Sequence, residues 1–264
     1  HYDGNNEMAM STWILEVGNS RAKWAKFSPE ASPQDDPLSV NACPLAEPLP
    51  DTARGWVEDI AAGDHVVVTG SGNLGPWIEA FRPTRVFRPG DDIPLHTDVT
   101  EPGKLGLDRV ANAWAVAMGC VPGADPSKAW MVVDAGTCVT VDFVVDGRHL
   151  GGSIAPGVRM RLQAMHQHTH ALPRIEDAVS SMGNTPVLGT NTKDAMVSGA
   201  FHSLDAELSG TWMRLKDEFP NLGIILTGGD AQHLQLRAVS PRFADANLTL
   251  KGHHALHKHL HDTH

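Results

Sequence analysis

The sequence predicts an α/β protein built from two similar domains that face a shared cleft. Two observations carry this. The run Trp13-Ile14-Leu15-Glu16-Val17-Gly18-Asn19-Ser20 is an apolar segment, an acid, a Gly and two small polar residues, and Met131-Val132-Val133-Asp134-Ala135-Gly136-Thr137-Cys138 repeats that grammar 118 positions later. Each copy is followed by a second strand-like segment, Ala22 to Phe27 and Val139 to Val145, so the repeated unit is a hairpin whose turn carries an acid-x-Gly phrase. In each, a buried-type strand delivers a carboxylate to its end and the Gly permits a tight turn.

The elements follow in order. Ser28 to Asp51 is rich in Pro and Asp and reads as a loop. Arg54 to Ala62 is helical, His65 to Thr69 is a short buried strand, and Pro76 to Phe81 begins a helix. Leu107 to Gly119 forms an amphipathic helix with Leu107, Val110, Ala111, Trp114 and Met118 on one face. In the second copy the chain turns at Asp146-Gly147 into a third strand, Arg148 to Ser153. Asp194 to Phe219 is largely helical, and the strand Leu222 to Leu226 breaks at Thr227-Gly228-Gly229-Asp230. The expected domains are residues 10–118 and 119–255. The polar stretch His1 to Met10 reads as an added leader, with Met8 or Met10 as the native start.

Composition excludes several classes of function. Lys plus Arg is 21 and Asp plus Glu is 31, a formal net charge of -10, which repels nucleic acid and anionic membranes. No apolar run reaches the length of a membrane helix, and the opening residues lack the apolar centre of a signal peptide. Cys43, Cys120 and Cys138 are odd in number and lack CxxC spacing, which argues against a disulfide framework or a zinc cage and for a reducing cytoplasm.

The candidate chemistry concerns phosphate. No GxxxxGK[ST] loop is present, so this is no P-loop enzyme. Three strand-to-turn sites remain that can cradle phosphate with backbone amides: Gly18-Asn19-Ser20, Gly136-Thr137 and Gly228-Gly229, with Lys23 just past the first. Glu16 and Asp134 end strands beside two of these turns, where a carboxylate can hold hydrated Mg²⁺ or a monovalent cation against the phosphates. Asp108 opens the Leu107 helix, whose N-terminus favours its anion, and a carboxylate there can accept the proton of a substrate hydroxyl during phosphoryl transfer. Arg109 beside it can fix a substrate carboxylate.

Two features point elsewhere. Gly70-Ser71-Gly72-Asn73-Leu74-Gly75 is a GxGxxG after a strand, the outline of a dinucleotide fingerprint and of an NAD-binding oxidoreductase. The acids Asp91 and Asp92 fall in a loop after Pro89-Gly90 rather than at the end of the strand Thr84 to Arg88, which weighs against it. His166, His168 and His170 alternate, and the stretch from His253 to His264 is dense in His. Side chains at i and i+2 of a helix point apart and no Cys completes a shell, so these histidines are expected on a solvated surface and a frayed terminus.

Taken in order, the segments Glu16 to Lys23, Gly106 to Arg109, Asp134 to Thr137, Gly151-Gly152-Ser153-Ile154-Ala155-Pro156-Gly157, Ala171-Leu172-Pro173, Leu188-Gly189-Thr190-Asn191-Thr192 and Thr227 to Ala231 resemble type III pantothenate kinases. The resemblance runs from about Thr12 to Gly252 and is specific only through the motifs jointly. It implies the duplicated ribonuclease-H-like fold shared by acetate kinases, sugar kinases, Hsp70 and actin. It implies transfer of the ATP γ-phosphate to pantothenate, the first step of coenzyme A synthesis, by a cytoplasmic homodimer that needs Mg²⁺ and a monovalent cation, K⁺ or NH₄⁺. Carried over by position, Glu16, Val17, Gly18, Asn19, Ser20, Arg21, Ala22 and Lys23 form the ATP phosphate loop, Thr137 contacts ATP and Asp134 binds the monovalent cation. Gly106, Leu107, Asp108, Arg109, Val99 and Thr192 line the pantothenate site, with Asp108 as proton acceptor. Two positions depart from the family's usual pattern: Glu16 stands where Asp is usual, and Val99 stands where a Tyr opens a Tyr-x-x-Pro phrase. These departures also motivate a second reading, a relative that keeps the fold and regulates rather than turns over.

Overall fold

A computed structural model describes residues 10–176, 182 and 184–262; residues 1–9 of the expected leader and the last two residues of the His-rich stretch lie outside these. The chain divides into two compact units. The first comprises the chain up to Pro94, Thr100–Pro122 and the chain from Asn247 on; the second comprises Leu95–Val99 and Gly123–Ala246. The terminal helix therefore packs in the first unit, although it follows the second unit in sequence.

The first unit carries β1 (Thr12–Val17), β2 (Arg21–Phe27), β3 (Ser39–Pro44), β4 (His65–Gly70) and β5 (Arg85–Val86) in one sheet of order β3-β2-β1-β4-β5. The second carries β6 (Ala129–Ala135), β7 (Cys138–Val145), β8 (Arg148–Pro156), β9 (Gly223–Thr227) and β10 (Arg242–Ala244) in the order β10-β9-β6-β7-β8. Reversed, the two orders are the same. The pairings agree too: β1–β2 and β6–β7 are antiparallel, as are β2–β3 and β7–β8, whereas β1–β4 and β6–β9 are parallel, as are β4–β5 and β9–β10. The echo read in two strands thus extends over all five strands of each sheet.

The duplication also explains the GxG phrase. Gly70 follows Thr69 at the end of β4 as Gly228 follows Thr227 at the end of β9. Both take positive φ, 127° and 91°, and a Cβ on either would overlap the backbone of Val17 or Ala135 respectively. The Gly72 N–H then donates to the Val17 carbonyl at 3.0 Å, as the Asp230 N–H donates to that of Ala135 at 2.9 Å. Gly70-Ser71-Gly72 is the first unit's copy of Gly228-Gly229-Asp230, and its glycines are required by strand-end packing.

Tryptophan builds one core of the first unit. Trp13, Leu15, Val17 and Trp24 face α1 (Asp51–Glu58) and α2 (Gly75–Phe81), with Trp13 stacked on Trp24 at 4.7 Å. The opposite sheet face is covered by α3 (Leu107–Ala117) and α6 (Leu248–Asp262). In the second unit Met131, Val133, Val139 and Val141 pack with α4 (Val158–Gln167) and α5 (Thr192–Lys216) through Leu162, Phe201 and Leu204.

Two expectations need correction. The stretch Ser28 to Asp51 contains β3, an edge strand pairing with β2; its residues are almost all exposed, so it carries no apolar alternation to read. The His-rich stretch is helix α6 rather than a frayed, solvated end, and His253, His254 and His257 are buried in it. The His254 ring stacks on Phe27 at 4.1 Å and 7°. His166 and His168 do lie at and just past the end of α4, and with His170 they are exposed.

Burial disfavours the imidazolium, pushing His253 and His257 down to about 4 and His254 to about 3. Below the ordinary value near 6.5 the unfolded chain thus binds more protons than the folded one. Stability contributed by these three rings is complete above about pH 6.5 and lost as pH falls toward about 4. The urea midpoint is expected to be lower at pH 5 than at pH 7.5. Replacing His254 by Phe keeps the ring stack and should flatten that dependence; an unchanged slope in this variant would refute the assignment.

Candidate active site

Glu16 stands next to the end of β1. Strand register places it opposite Lys23 on β2 and Thr69 on β4, so the three form a row across adjacent strands. Side chains alternate along a strand, and Leu15 and Val17 point into the tryptophan core, so this row lies on the α3 and α6 face. Lys23 Nζ is 3.7 Å from Glu16 Oε2. That oxygen is buried without a hydrogen-bond partner, as is Thr69 Oγ1. A buried acceptor left in this condition is costly unless a bound group completes it.

Asp108 comes to the same face from the first turn of α3. Gly106 precedes that helix, and the Asp108 carboxylate folds back over it. A Cβ at Gly106 would lie 2.6 Å from Asp108 Oδ1, so a side chain there would displace the acid. Asp108 Oδ1 accepts the Arg109 N–H at 2.9 Å. Burial raises the Asp108 pKa above the ordinary carboxylate value; the Arg109 N–H opposes this, and the negative charge of Glu16 adds to it. The expectation that the helix start simply favours the anion is thus outweighed by desolvation.

His253 of α6 is a site residue that the sequence reading missed. It is buried, it stacks near Phe87 at 6.3 Å, and neither ring nitrogen has a hydrogen-bond partner. Asp108 draws its pKa up while burial and Lys23 push it down. The signal available in sequence was helical spacing: Leu250, His253, His254 and His257 recur as one face of a helix.

In the second unit Asp134 takes the place on β6 that Glu16 has on β1, facing Thr227 on β9 as Glu16 faces Thr69. The Gly136 N–H closes the β6–β7 turn on the Cys138 carbonyl at 3.0 Å, matching Gly18 on Arg21 in the first unit. Gly157, ending the Gly151 to Gly157 motif, donates its N–H to the Thr137 carbonyl at 3.1 Å. A Cβ on Gly228 would lie 2.6 Å from the Ala135 nitrogen, so this glycine seats the β9 turn directly against Asp134 and Ala135. The structure therefore brings Asp134, the Gly136-Thr137 turn and Gly228 together. Asn19 reaches Ser71 at 3.3 Å in the first unit. Thr192 opens α5, whose N-cap Asn191 accepts the Asp194 N–H at 2.9 Å. Val99 stands beside β8, its N–H donated to Thr97 Oγ1 at 3.2 Å.

The metal chemistry fits the donor set. Among the described residues no group of three or more His, Cys, Asp or Glu is placed to hold a metal ion by itself. Mg²⁺ bound with substrate phosphates needs only one or two carboxylates and its own waters. Glu16, with one oxygen buried and making no hydrogen bond, suits that role.

Comparison with known proteins gives the fold and the family. An activator of 2-hydroxyisocaproyl-CoA dehydratase from Clostridium difficile, solved with bound ADPNP, superposes with a TM-score of 0.54 at 14% identity over 92% of this chain and 91% of that one. A Campylobacter jejuni protein described as a Baf family transcriptional activator superposes with 0.59 at 19% identity over 95% and 99%. These likenesses give the duplicated actin-like α/β fold. A type III pantothenate kinase of Phocaeicola vulgatus is 39% identical over 245 residues, 90% of this chain and 94% of that protein. The family model of type III pantothenate kinases matches residues 13–214, a span that holds the Glu16 row, the Asp108 helix start and the Asp134 turn. With those three features built as described and nine-tenths of its length aligned to such an enzyme, the chain belongs to the type III pantothenate kinase family.

Proposed function

We propose that the protein transfers the γ-phosphoryl group of ATP to the hydroxyl of pantothenate, giving 4'-phosphopantothenate for coenzyme A synthesis. The observation that supports it best is the row Lys23–Glu16–Thr69, half-buried at Lys23 and Glu16 and buried at Thr69, on the face where Asp108, an acid with raised proton affinity, opens α3. The hydroxyl oxygen forms a bond to the γ-phosphorus as the bond from that phosphorus to the leaving ADP breaks. The hydroxyl proton passes to the Asp108 carboxylate. Arg109 holds the carboxylate of pantothenate, with Gly106, Leu107, Val99 and Thr192 completing that subsite. The Glu16 to Lys23 turn, Thr137, Gly228 and Gly229 hold the phosphates through backbone amides, and Lys23 adds a positive charge. Bound Mg²⁺ would supply neutralisation of the β- and γ-phosphate charge beside Glu16.

In the same reading Asp134 holds K⁺ or NH₄⁺, the enzyme is a homodimer, and it works in the cytoplasm. No helix among the described residues is long and apolar enough to cross a membrane. The test is a coupled ADP-release assay with ATP, Mg²⁺ and pantothenate, with the phosphorylated product identified by mass. Turnover is expected with K⁺ or NH₄⁺ and a fall of about tenfold or more when Na⁺ replaces them, as for a mis-sized ion in a preorganised site. Equal rates in Na⁺ would remove the cation from Asp134; no phosphopantothenate under any condition would remove the activity itself.

A further inference from the structure

Leu95–Val99 is a five-residue passage counted with the second unit, although the residues on both sides of it belong to the first. It lies against β8 by an isolated parallel bridge between Thr97 and His149. The Asp98 N–H donates to the His149 carbonyl and the His149 N–H to the His96 carbonyl, both at 2.9 Å. Arg148 pairs with Asp98, its Nε donating to Oδ1 at 2.6 Å.

Beneath these exposed contacts runs a buried one. Thr97 Oγ1 is 2.8 Å from His149 Nδ1, and His149 Nε2 is 2.7 Å from Asp142 Oδ1. His149 is 0% and Asp142 1% exposed. The Val99 N–H donates to Thr97 Oγ1 at 3.2 Å, so with a neutral ring the hydroxyl proton goes to His149 Nδ1 and the Nε2 proton to Asp142. The chain Val99–Thr97–His149–Asp142 is then hydrogen-bonded at every step. Removing Asp142 or His149 from β7 and β8 would leave a buried polar group unmet, a cost that a surface loop anchor does not carry. The catalytic steps above use none of these three side chains.

We infer that Thr97, His149 and Asp142 are positioning residues that fix the backbone at Val99 and so set the affinity for the acceptor substrate. The inference rests on the reading that Val99 lines the pantothenate subsite. Ordering a loop against a buried polar chain acts on the substrate that the loop touches, so the effect falls on one KM.

The test uses Thr97→Val, which keeps the shape and removes the hydroxyl, and Thr97→Ser, which keeps the hydroxyl. Thr97→Val is expected to raise KM for pantothenate about tenfold, with kcat and KM for ATP within about twofold, and Thr97→Ser to stay near the parent enzyme. If KM for pantothenate does not move in a folded Thr97→Val protein, or if kcat and KM for ATP shift as much, the positioning role is wrong. Should Thr97→Val not fold, amide hydrogen exchange on the unaltered protein decides. The Val99 amide is expected to exchange well below the open-chain rate, and open-chain exchange would overturn the inference. If the parent enzyme makes no phosphopantothenate, the functional reading fails instead, and the exchange measurement still tests the hydrogen-bonded chain.

Discussion

Asp108→Asn is expected to lower kcat by about 10²- to 10⁴-fold, the usual contribution of a positioned general base. Asparagine keeps the size of the side chain and the acceptor for the Arg109 N–H, but it takes no proton from the substrate hydroxyl. KM for either substrate should shift by less than about threefold, because the lost interaction develops in the transition state. The fold should not suffer. Burial raises the Asp108 pKa, so its ionised form is held at a cost, and an uncharged amide removes that cost. The variant's Tm should therefore equal or exceed that of the parent, the opposite of what a structural acid would give. The pH profile supplies a second readout. With Asp108 as the proposed base, activity would need its ionised form, so kcat/KM should rise with pH along an acid limb lying above the ordinary carboxylate range. Glu16 contributes to that displacement through its negative charge, so Glu16→Gln should move the limb to lower pH even as it weakens the phosphate site. Turnover in Asp108→Asn within threefold of the parent would end its role as base.

What was legible in the sequence follows from which forces leave a linear trace. The apolar runs ending in Glu16 and Asp134 announce buried central strands, and both are found with the same neighbours on each side. Asp108 announces itself by standing in the first turn of an apolar-faced helix. The correspondence of Gly70-Ser71-Gly72 with Gly228-Gly229-Asp230 was hidden because its cause is backbone approach between strands that are distant in sequence, and a six-residue motif search sees only the glycines. Strand β3 was hidden because an edge strand with both faces wet needs no apolar pattern. Helix α6 was hidden by side-chain chemistry. His counts as polar along a sequence, yet a neutral imidazole stacked on Phe27 behaves as a buried aromatic. The same mismatch concealed His253 beside the Glu16 row: the helical spacing that sets it on one face with Leu250, His254 and His257 reads as a buried face only once histidine is counted among the core residues.

That helix also sets the second large effect, Gly252→Ala. Helices α3 and α6 meet where Gly252 abuts the backbone of Ala111, and a Cβ at position 252 would overlap the Ala111 carbonyl and stand 3.0 Å from its Cα. The neighbouring Thr249 hydroxyl donates to Asn112 Oδ1 at 2.9 Å in the same buried seam. Helix propensity alone favours Ala over Gly by about 1 kcal/mol. Overlap with backbone, which cannot swing aside, costs about 3 kcal/mol or more once the helices separate and the seam opens. The steric effect wins by about 2 kcal/mol or more, and Tm should fall by roughly 4 to 8 °C or more. Because α3 carries Asp108 at its start, kcat should fall too, and the two losses should appear together. Gly199 and Gly210 in α5 give the control, since a Cβ at either meets nothing within 4 Å. Gly199→Ala should raise stability by about 1 kcal/mol, the propensity gain without the clash. A Gly252→Ala protein as stable as the parent would mean that α6 does not seat on α3 at this residue; a loss in Gly199→Ala would mean that propensity is not the term being compared.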